Sequence, residues 1–153
     1  MLLTSSTSFC WRECPDVAIK VAASREERAG AFRLAYQSSL RAELCGPSPS
    51  GMRVTSHQLL PSTDVIIAEL HGEVISTLSL VRDGEGGLPI EAVYPHEVLT
   101  RRARGLRLAE VSCLADRREG AARFFGLFTE LSRLMVQLAD DEGIDELLIA
   151  VHP

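Results

Sequence analysis

Residues 117–122, Arg-Arg-Glu-Gly-Ala-Ala, join a predicted strand to a predicted long helix and offer the clearest chemistry in the sequence. The first N–H groups of a helix have no partner within it and lie at the positive end of its dipole, so they bind phosphate readily. A glycine and two alanines let a ligand approach the backbone closely. The pattern predicts a phosphate-binding turn formed by Arg117, Arg118, Gly120, Ala121 and Ala122. The alternative is an ordinary strand-to-helix turn whose arginines are solvated.

The first third of the chain predicts a strand, a helix and a loop. Residues 17–22 alternate between apolar and polar types, as a strand does. Ser24 and Glu27 have the spacing of a capping box at the start of a helix. Apolar residues then recur every three to four positions and predict the buried face of that helix: Ala29, Phe32, Ala35, Tyr36 and Leu40. Residues 46–63 predict a loop of a length that is uncommon unless it serves a function.

The rest of the chain predicts further strands and helices in alternation. Two β-branched runs flank His71-Gly72 and predict an antiparallel hairpin. Gly143 marks the end of the long helix. The predicted elements are strands at 64–70 and 73–81, a short helix at 89–104, a strand at 106–114, the long helix at 120–141 and a strand at 146–151. This order predicts an α/β fold with a mixed central sheet flanked by helices, in which the last two strands are joined by a right-handed parallel crossover.

Composition and charge narrow the class of protein. With 153 residues, 46% hydrophobic and 24% charged, the chain has the balance of a globular domain. Its net charge of -5 argues against nucleic acid as a partner, since the only dense basic group is formed by Arg101, Arg102, Arg104 and Arg107. The four cysteines lack the spacing of a metal site and favour a reducing, cytoplasmic location. No apolar run is long enough to span a membrane. We expect residues 1–16 to form a loose extension and residues 17–153 to form the domain.

The phosphate-binding pattern resembles that of a known superfamily. Arg117-x-x-Gly120-x-Ala122 is similar to the pyrophosphate loop of the GNAT acyltransferases, which also lies between the fourth strand and a long helix. In those proteins the loop holds coenzyme A or the phosphopantetheine arm of an acyl carrier protein. The resemblance implies a GNAT-like fold and an acyl thioester as donor, with no metal.

A closer resemblance, through much of residues 28–153, is to the N-acyl amino acid synthase branch of that superfamily, which is related to the acyl-homoserine-lactone synthases. The most specific segments are Ala109-Glu110-Val111-Ser112-x-Leu114-Ala115 and the terminal Val151-His152-Pro153. Weaker support comes from Arg33-x-x-Tyr36, Thr55, residues 76–80, residues 87–91 and Glu97. The resemblance implies transfer of a fatty acyl group from a carrier thioester to the amine of an amino acid. An acetyl-CoA-dependent N-acetyltransferase and a non-catalytic binding module are the alternatives.

The resemblance also implies roles for residues on the fourth predicted strand. Glu110 is a lone acid in an apolar strand and would accept the proton of the attacking amine; the alternative is an outward-facing charge or an ion pair with Arg107. Backbone N–H groups from Ser112 to Leu114 would polarise the thioester carbonyl. The residues expected to contact the donor here are Cys113, Leu114 and Ala115. Cys113 has no His or Asp that the sequence places beside it, so we do not expect a covalent mechanism.

Two further groups carry weaker expectations. The residues expected to line the acyl or acceptor pocket are Arg33, Tyr36, Thr55 and Thr77, although an exposed Arg and a half-buried Tyr are common on any helix. The basic residues between 101 and 107 would either dock an acidic acyl carrier protein or form a solvated helix face.

The resemblance leads us to expect an incomplete domain. The GNAT fold continues after its fifth strand with a helix and two strands that contain the usual general-acid Tyr, whereas this sequence stops at Pro153. The exposed edge of the last strand would favour association between copies of the chain.

Overall fold

The computed structural model describes residues 16–117 and 121–151, with the backbone alone for residues 121–124. Within these residues the chain forms the strands β1 to β5 and the helices α1 to α3. Their bounds are β1 Val17–Val21, α1 Arg25–Arg41, β2 Thr63–Leu70, β3 Glu73–Arg82, α2 Pro95–Ala103, β4 Leu108–Asp116, α3 Ala121–Asp141 and β5 Glu146–Ile149. Two 3-10 turns, His57–Leu59 and Pro89–Ala92, interrupt the connections on either side of β2 and β3.

The strands form one five-stranded sheet in the order β1-β2-β3-β4-β5. The first four strands pair antiparallel with their neighbours, and β4 pairs parallel with β5 through the α3 crossover. The predicted hairpin is confirmed, and His71 and Gly72 both have the positive φ that a two-residue hairpin turn requires. The predicted mixed α/β fold is therefore confirmed.

Helices cover both faces of the sheet. On one face, Leu131 and Met135 of α3 pack against Ile66, Leu80 and Ala109. On the other face, Phe32 of α1 packs against Val65 and Ile67, and Val98 of α2 packs against Val81 and Leu108. Because side chains alternate along a strand, Glu110 and Ser112 lie on the same face of β4 as Leu108, the face of α1 and α2.

The helix ends follow the chemistry of their caps. Ser24 accepts the N–H of Glu27, whose carboxylate in turn accepts the N–H of Ser24, so the predicted capping box is present. Gly143 has a positive φ, and the hydrogen bonds of the Gly143 and Ile144 N–H groups to carbonyls of the last turn close α3 in a Schellman motif.

Several predicted bounds were wrong. The helix expected at 89–104 is a 3-10 turn followed by α2, because Pro95 keeps Tyr94 out of helical geometry and begins a new helix. The strand expected at 106–114 runs from Leu108 to Asp116. On α1, Leu40 is exposed whereas Ala31 and Leu34 are buried, so the buried face is rotated from the predicted one. None of the helices in the described part of the chain is long and apolar enough to cross a membrane.

Candidate active site

The central feature of the site is a β-bulge in β4. Thr77 of β3 lies opposite Ala115, but Ser79 lies opposite Ser112, so β4 contains one residue more than β3 over this step. Cys113, within the bulge, has a φ of +53°. This left-handed conformation costs a non-glycine residue roughly 1–2 kcal/mol. Such a cost is typical of backbone held in place at functional sites.

On its other edge, β4 separates from β5 at the same level. The pairing between these strands ends at Val111 and Ile149, one residue before Ser112, although the described chain continues to Val151. Between Ser112 and Leu114, β4 therefore has an irregular ladder with β3 and no ladder with β5. Backbone N–H groups at such a position are able to bind a ligand.

Glu110 lies on β4 two residues before the start of this irregular segment. It is 4% exposed and accepts the backbone N–H of Ile90 at Oε2, with an N···O distance of 2.6 Å. Burial raises the pKa of this carboxyl, and the hydrogen bond from Ile90 opposes that rise. The alternative of an outward-facing charge or an Arg107 partner is therefore wrong, and Arg107 instead bonds through its backbone to Asp145. A buried carboxylate that binds its proton more tightly than usual is a stronger base.

The Pro89–Ala92 turn presents Ile90 to Glu110 and is itself held by ion pairs. The Glu91 carboxylate accepts a hydrogen bond from the N–H of Leu88 at 2.7 Å. It also accepts hydrogen bonds from both terminal nitrogens of Arg102. Arg102 also forms a two-pronged contact with Asp83, with both distances 2.7 Å. The hydrogen bonds from Arg102 hold the pKa of Glu91 below its ordinary value.

The long loop contributes polar side chains that were not predicted from the sequence. Gln58 is 1% exposed, accepts the N–H of Thr55 at 3.0 Å and donates to Ser79 Oγ at 3.3 Å. Arg53 donates to the buried Ser39 hydroxyl of α1 at 2.6 Å. His57 contacts the carbonyl of Gly86 through Nε2 at 3.0 Å. The unusual length of the loop was the only sequence signal for this group.

Cys113 lies among these side chains. Burial raises the pKa of its thiol, whereas hydrogen bonds with Ser112 and Gln58 and the charge of Arg53 act in the opposite direction. A thiol with a raised pKa is protonated near neutral pH and is a poor nucleophile.

The structure brings only some of the expected pocket residues to the bulge. Thr55 is connected to the bulge through Gln58, which accepts the N–H of Thr55 and donates to Ser79, the residue opposite Ser112. Thr77 is buried and donates to the carbonyl of Ile66 at 2.9 Å, so its hydroxyl is used within the sheet. The Tyr36 hydroxyl accepts the N–H of Ser48 at 2.8 Å and so tethers the loop to α1. Arg33 is exposed and lines a separate groove of about 520 Å³ between α1 and the β2–β3 turn.

The expected phosphate-binding turn is described only in part. Arg118 and Gly120 lie outside the described residues, and Ala121 and Ala122 form the first turn of α3 with only their backbone described. Arg117 is exposed and forms an ion pair with Glu73 across the end of the hairpin. Of the two residues that follow Cys113, Leu114 is 43% exposed, whereas Ala115 is buried against Leu34 and Ala35.

Half of the basic group between residues 101 and 107 is engaged within the domain. Arg101 pairs with Glu146 and Arg102 with Asp83 and Glu91, whereas Arg104 and Arg107 are exposed. Among the described residues, no group of three His, Cys, Asp or Glu side chains is arranged to hold a metal ion.

The fold, with its bulged fourth strand, is that of GNAT-like N-acyltransferases. FeeM, an N-acyl amino acid synthase from uncultured soil microbes, superposes with a TM-score of 0.74 at 24% identity, covering 90% of this chain and 72% of that one. The AHL synthase LasI superposes with a TM-score of 0.66 at 16% identity, and the match covers 87% of this chain and 71% of that one. A ribosomal-protein-alanine N-acetyltransferase from Brucella melitensis biovar Abortus 2308 superposes with a TM-score of 0.57 at 13% identity. This match covers 87% of this chain and 78% of that one.

The family follows from the sequence itself. The family model described as N-acyl amino acid synthase FeeM matches residues 30–153, so the chain belongs to the FeeM N-acyl amino acid synthase family. No curated protein matches the chain. The predicted membership and the assignment as an N-acyltransferase are confirmed.

Proposed function

We propose that the chain transfers a fatty acyl group from a carrier thioester to the amine of an amino acid, with Glu110 as the general base. The observation that carries this proposal is the buried Glu110 carboxylate, which lies on β4 two residues before the start of the irregular segment at Ser112. This position supports a role for Glu110 as proton acceptor next to a segment whose backbone N–H groups would bind a carbonyl oxygen.

The reaction requires one bond to form and one to break. The neutral amine attacks the thioester carbonyl, and the negative charge that develops on oxygen is stabilised by N–H groups between Ser112 and Leu114. Glu110 accepts the proton of the amine, directly or through water. The C–S bond then breaks, and a proton returns to the thiolate as the thiol of the carrier leaves. The raised pKa of Glu110 favours the first proton transfer.

Three features support a phosphopantetheine thioester as donor. The open edge of β4 offers backbone groups to an extended amide-containing arm, as strand addition does in peptide recognition. Exposed Leu114 and Phe125 lie beside this edge and at the start of α3, where they offer apolar surface. The exposed Arg104 and Arg107 remain free to meet an acidic carrier protein.

Arg53 is suited to bind the carboxylate of an amino acid. Its guanidinium is anchored by Ser39, one helical turn after Ala35, which packs in the same cluster as Cys113 and Ala115. Its positive charge reaches the Cys113 thiol in the bulge. A bidentate guanidinium–carboxylate contact would orient the neighbouring amine.

The test measures acyl transfer by the full chain with acetyl-, octanoyl- and palmitoyl-CoA and with the matching acyl carrier proteins, across a panel of amino acids. We expect turnover with the long acyl donors. Turnover with acetyl-CoA alone would establish an N-acetyltransferase instead. A folded chain that binds neither coenzyme A nor the carrier protein in calorimetry would establish a non-catalytic module. Comparing each amino acid with the amine that lacks its carboxylate tests Arg53, because Arg53→Met should slow only the former.

A further inference from the structure

The contacts behind Glu110 form a continuous chain to α2. Ile90, which bonds to Glu110, belongs to the Pro89–Ala92 turn, and Glu91 is the next residue of the same turn. Glu91 bonds both to Leu88, at the start of the turn, and to Arg102. Arg102 thus holds the turn through Glu91.

We propose that Arg102 is a positioning residue for acyl transfer, which acts by holding the turn whose Ile90 N–H bonds to the Glu110 carboxylate. This inference rests on the proposed role of Glu110. Arg102 itself lies on α2, and the side chains that it binds are Asp83 and Glu91 and not Glu110. Its effect on the reaction is therefore transmitted through the turn.

The geometry of Arg102 suits this role better than that of a simple surface ion pair. Its Nε and Nη2 bond to the two oxygens of Asp83, while Nη1 and Nη2 bond to the two oxygens of Glu91. A planar guanidinium that grips two carboxylates in this way fixes both in orientation, which a lysine ammonium does not do. Asp83 directly follows β3, so Arg102 connects the turn to the end of a sheet strand.

Arg102 also balances a charge that acts on the base. The groups that face Glu110 are His57 from the loop, Glu91 from the turn and Cys113 on its own strand. The negative charge of Glu91 favours protonation of Glu110, whereas a positive charge on His57 opposes it. Removing Arg102 would release the turn and leave the charge of Glu91 without its partner. Both changes favour the protonated form of Glu110.

The test is the titration of Glu110 in Arg102→Gln and Arg102→Lys. Loss of a hydrogen bond to a charged carboxylate should raise the midpoint by roughly one pH unit or more in Arg102→Gln. We expect a smaller rise in Arg102→Lys, which keeps the charge and provides a folded variant if Arg102→Gln fails to fold. The midpoint is read from 13C spectra of the labelled carboxyl, assigned by its loss in Glu110→Gln. The low-pH limb of the kcat profile should move by the same amount.

Arg82→Gln is the matched control. Arg82 is also half-buried and also pairs with two carboxylates, Asp64 and Glu142, but it has no contact with the turn. It should lower stability without moving the midpoint. An unchanged midpoint in a folded Arg102→Gln, or an equal shift in Arg82→Gln, would overturn the inference. If the wild-type chain transfers no acyl group, the proposed function fails, and the spectra still decide whether Arg102 controls Glu110.

Discussion

Oε2 of Glu110 lies 2.6 Å from the backbone nitrogen of Ile90, and this hydrogen bond joins residues that are 20 positions apart in the chain. Among the described residues, Glu110 is the only carboxylate that is buried. Burial favours its neutral form and the Ile90 N–H favours its charged form, so the protonation of the proposed base depends on the balance between the sheet and one short turn.

Replacing Glu110 with Gln should lower kcat by roughly 10²- to 10⁴-fold, because the amide cannot accept the proton. Binding of the donor, measured by calorimetry with coenzyme A, should be unchanged. Unaltered turnover would remove Glu110 from the mechanism.

The same variant should change how stability depends on pH. The pKa of Glu110 is raised in the folded state, so its contribution to stability is fully present below the unfolded value of about 4.5 and is lost as pH rises through the folded value. Glu110→Gln has no such loss and still offers an oxygen to Ile90. The free energy of unfolding, measured with denaturant at pH 4 and pH 8, should therefore fall less with rising pH in this variant than in the wild type. An equal decline in both proteins would contradict this expectation.

Glu27 should show the opposite dependence. The ion pair with Lys20 and the hydrogen bonds from Ser24 and Ala23 lower its pKa to about 2. Its contribution is present above the unfolded value of 4.5 and is lost as pH falls through about 2. Glu27→Gln keeps an acceptor for the cap but not the charge. Its free energy of unfolding should therefore change less between pH 5 and pH 2 than that of the wild type. Glu26→Gln, in the same exposed turn, is the control, and an equal reduction of this change in both variants would contradict the assignment to Glu27.

Gly87→Ala should destabilise the fold and disturb the turn near Glu110. Gly87 has a φ of +64°, and an added Cβ would lie 2.7 Å from Oε1 of Glu91. Gly105→Ala is matched, since its φ is +77° and its Cβ would meet nothing within 4 Å. Both variants should lose roughly 1–2 kcal/mol of unfolding free energy from backbone strain. Only Gly87→Ala should also slow acyl transfer, and equal rates in the two variants would show that Glu91 is insensitive to this contact.

Cys113→Ala should keep turnover within about tenfold of the wild type, far from the loss expected for Glu110→Gln. The reason is that the raised pKa of the thiol leaves it protonated. Mass spectrometry of the protein mixed with donor should show no acyl adduct that depends on this residue. An adduct present in the wild type and in Cys45→Ala but absent from Cys113→Ala would establish a covalent route.

Glu73→Gln should strengthen binding of coenzyme A, and Arg117→Gln should weaken it. Arg117 is paired with Glu73 in the free protein, so a phosphate must compete with that carboxylate for the guanidinium. Exposed ion pairs contribute up to about 1 kcal/mol, which limits each change to roughly fivefold. Calorimetry measures both, with Arg133→Gln on α3 as an exposed control. Equal affinities in all variants would exclude Arg117 as a phosphate ligand.

The strands and helix caps could be predicted because their signals are local. The β-branched runs on either side of His71 and the Ser24–Glu27 box each determine structure over a few residues. Glu110 was identified as a lone acid, but its burial and its bond to Ile90 depend on a tertiary contact that alternation along β4 does not reveal. The sequence predicts helix over the Pro89–Ala92 turn, because a local pattern does not distinguish a 3-10 turn that is stabilised by Arg102.

Gln58 and Arg53 were missed for a related physical reason. Their loop has no repeating pattern, and their side chains acquire partners only when the loop folds over β3 and α1. The resemblance implies a pocket role for Tyr36, and the structure adds a tether, because its hydroxyl accepts the N–H of Ser48 in the loop.

The separation of β4 from β5 after Val111 would make the proposed donor part of the architecture as well as a reactant. An extended arm bound along this edge would act as a temporary strand, and any ligand that binds only the folded state stabilises it by mass action. At a donor concentration one hundred times its Kd, the gain would be about 2.7 kcal/mol. The supply of acyl donor would then influence how long each molecule stays folded, in addition to how fast it works.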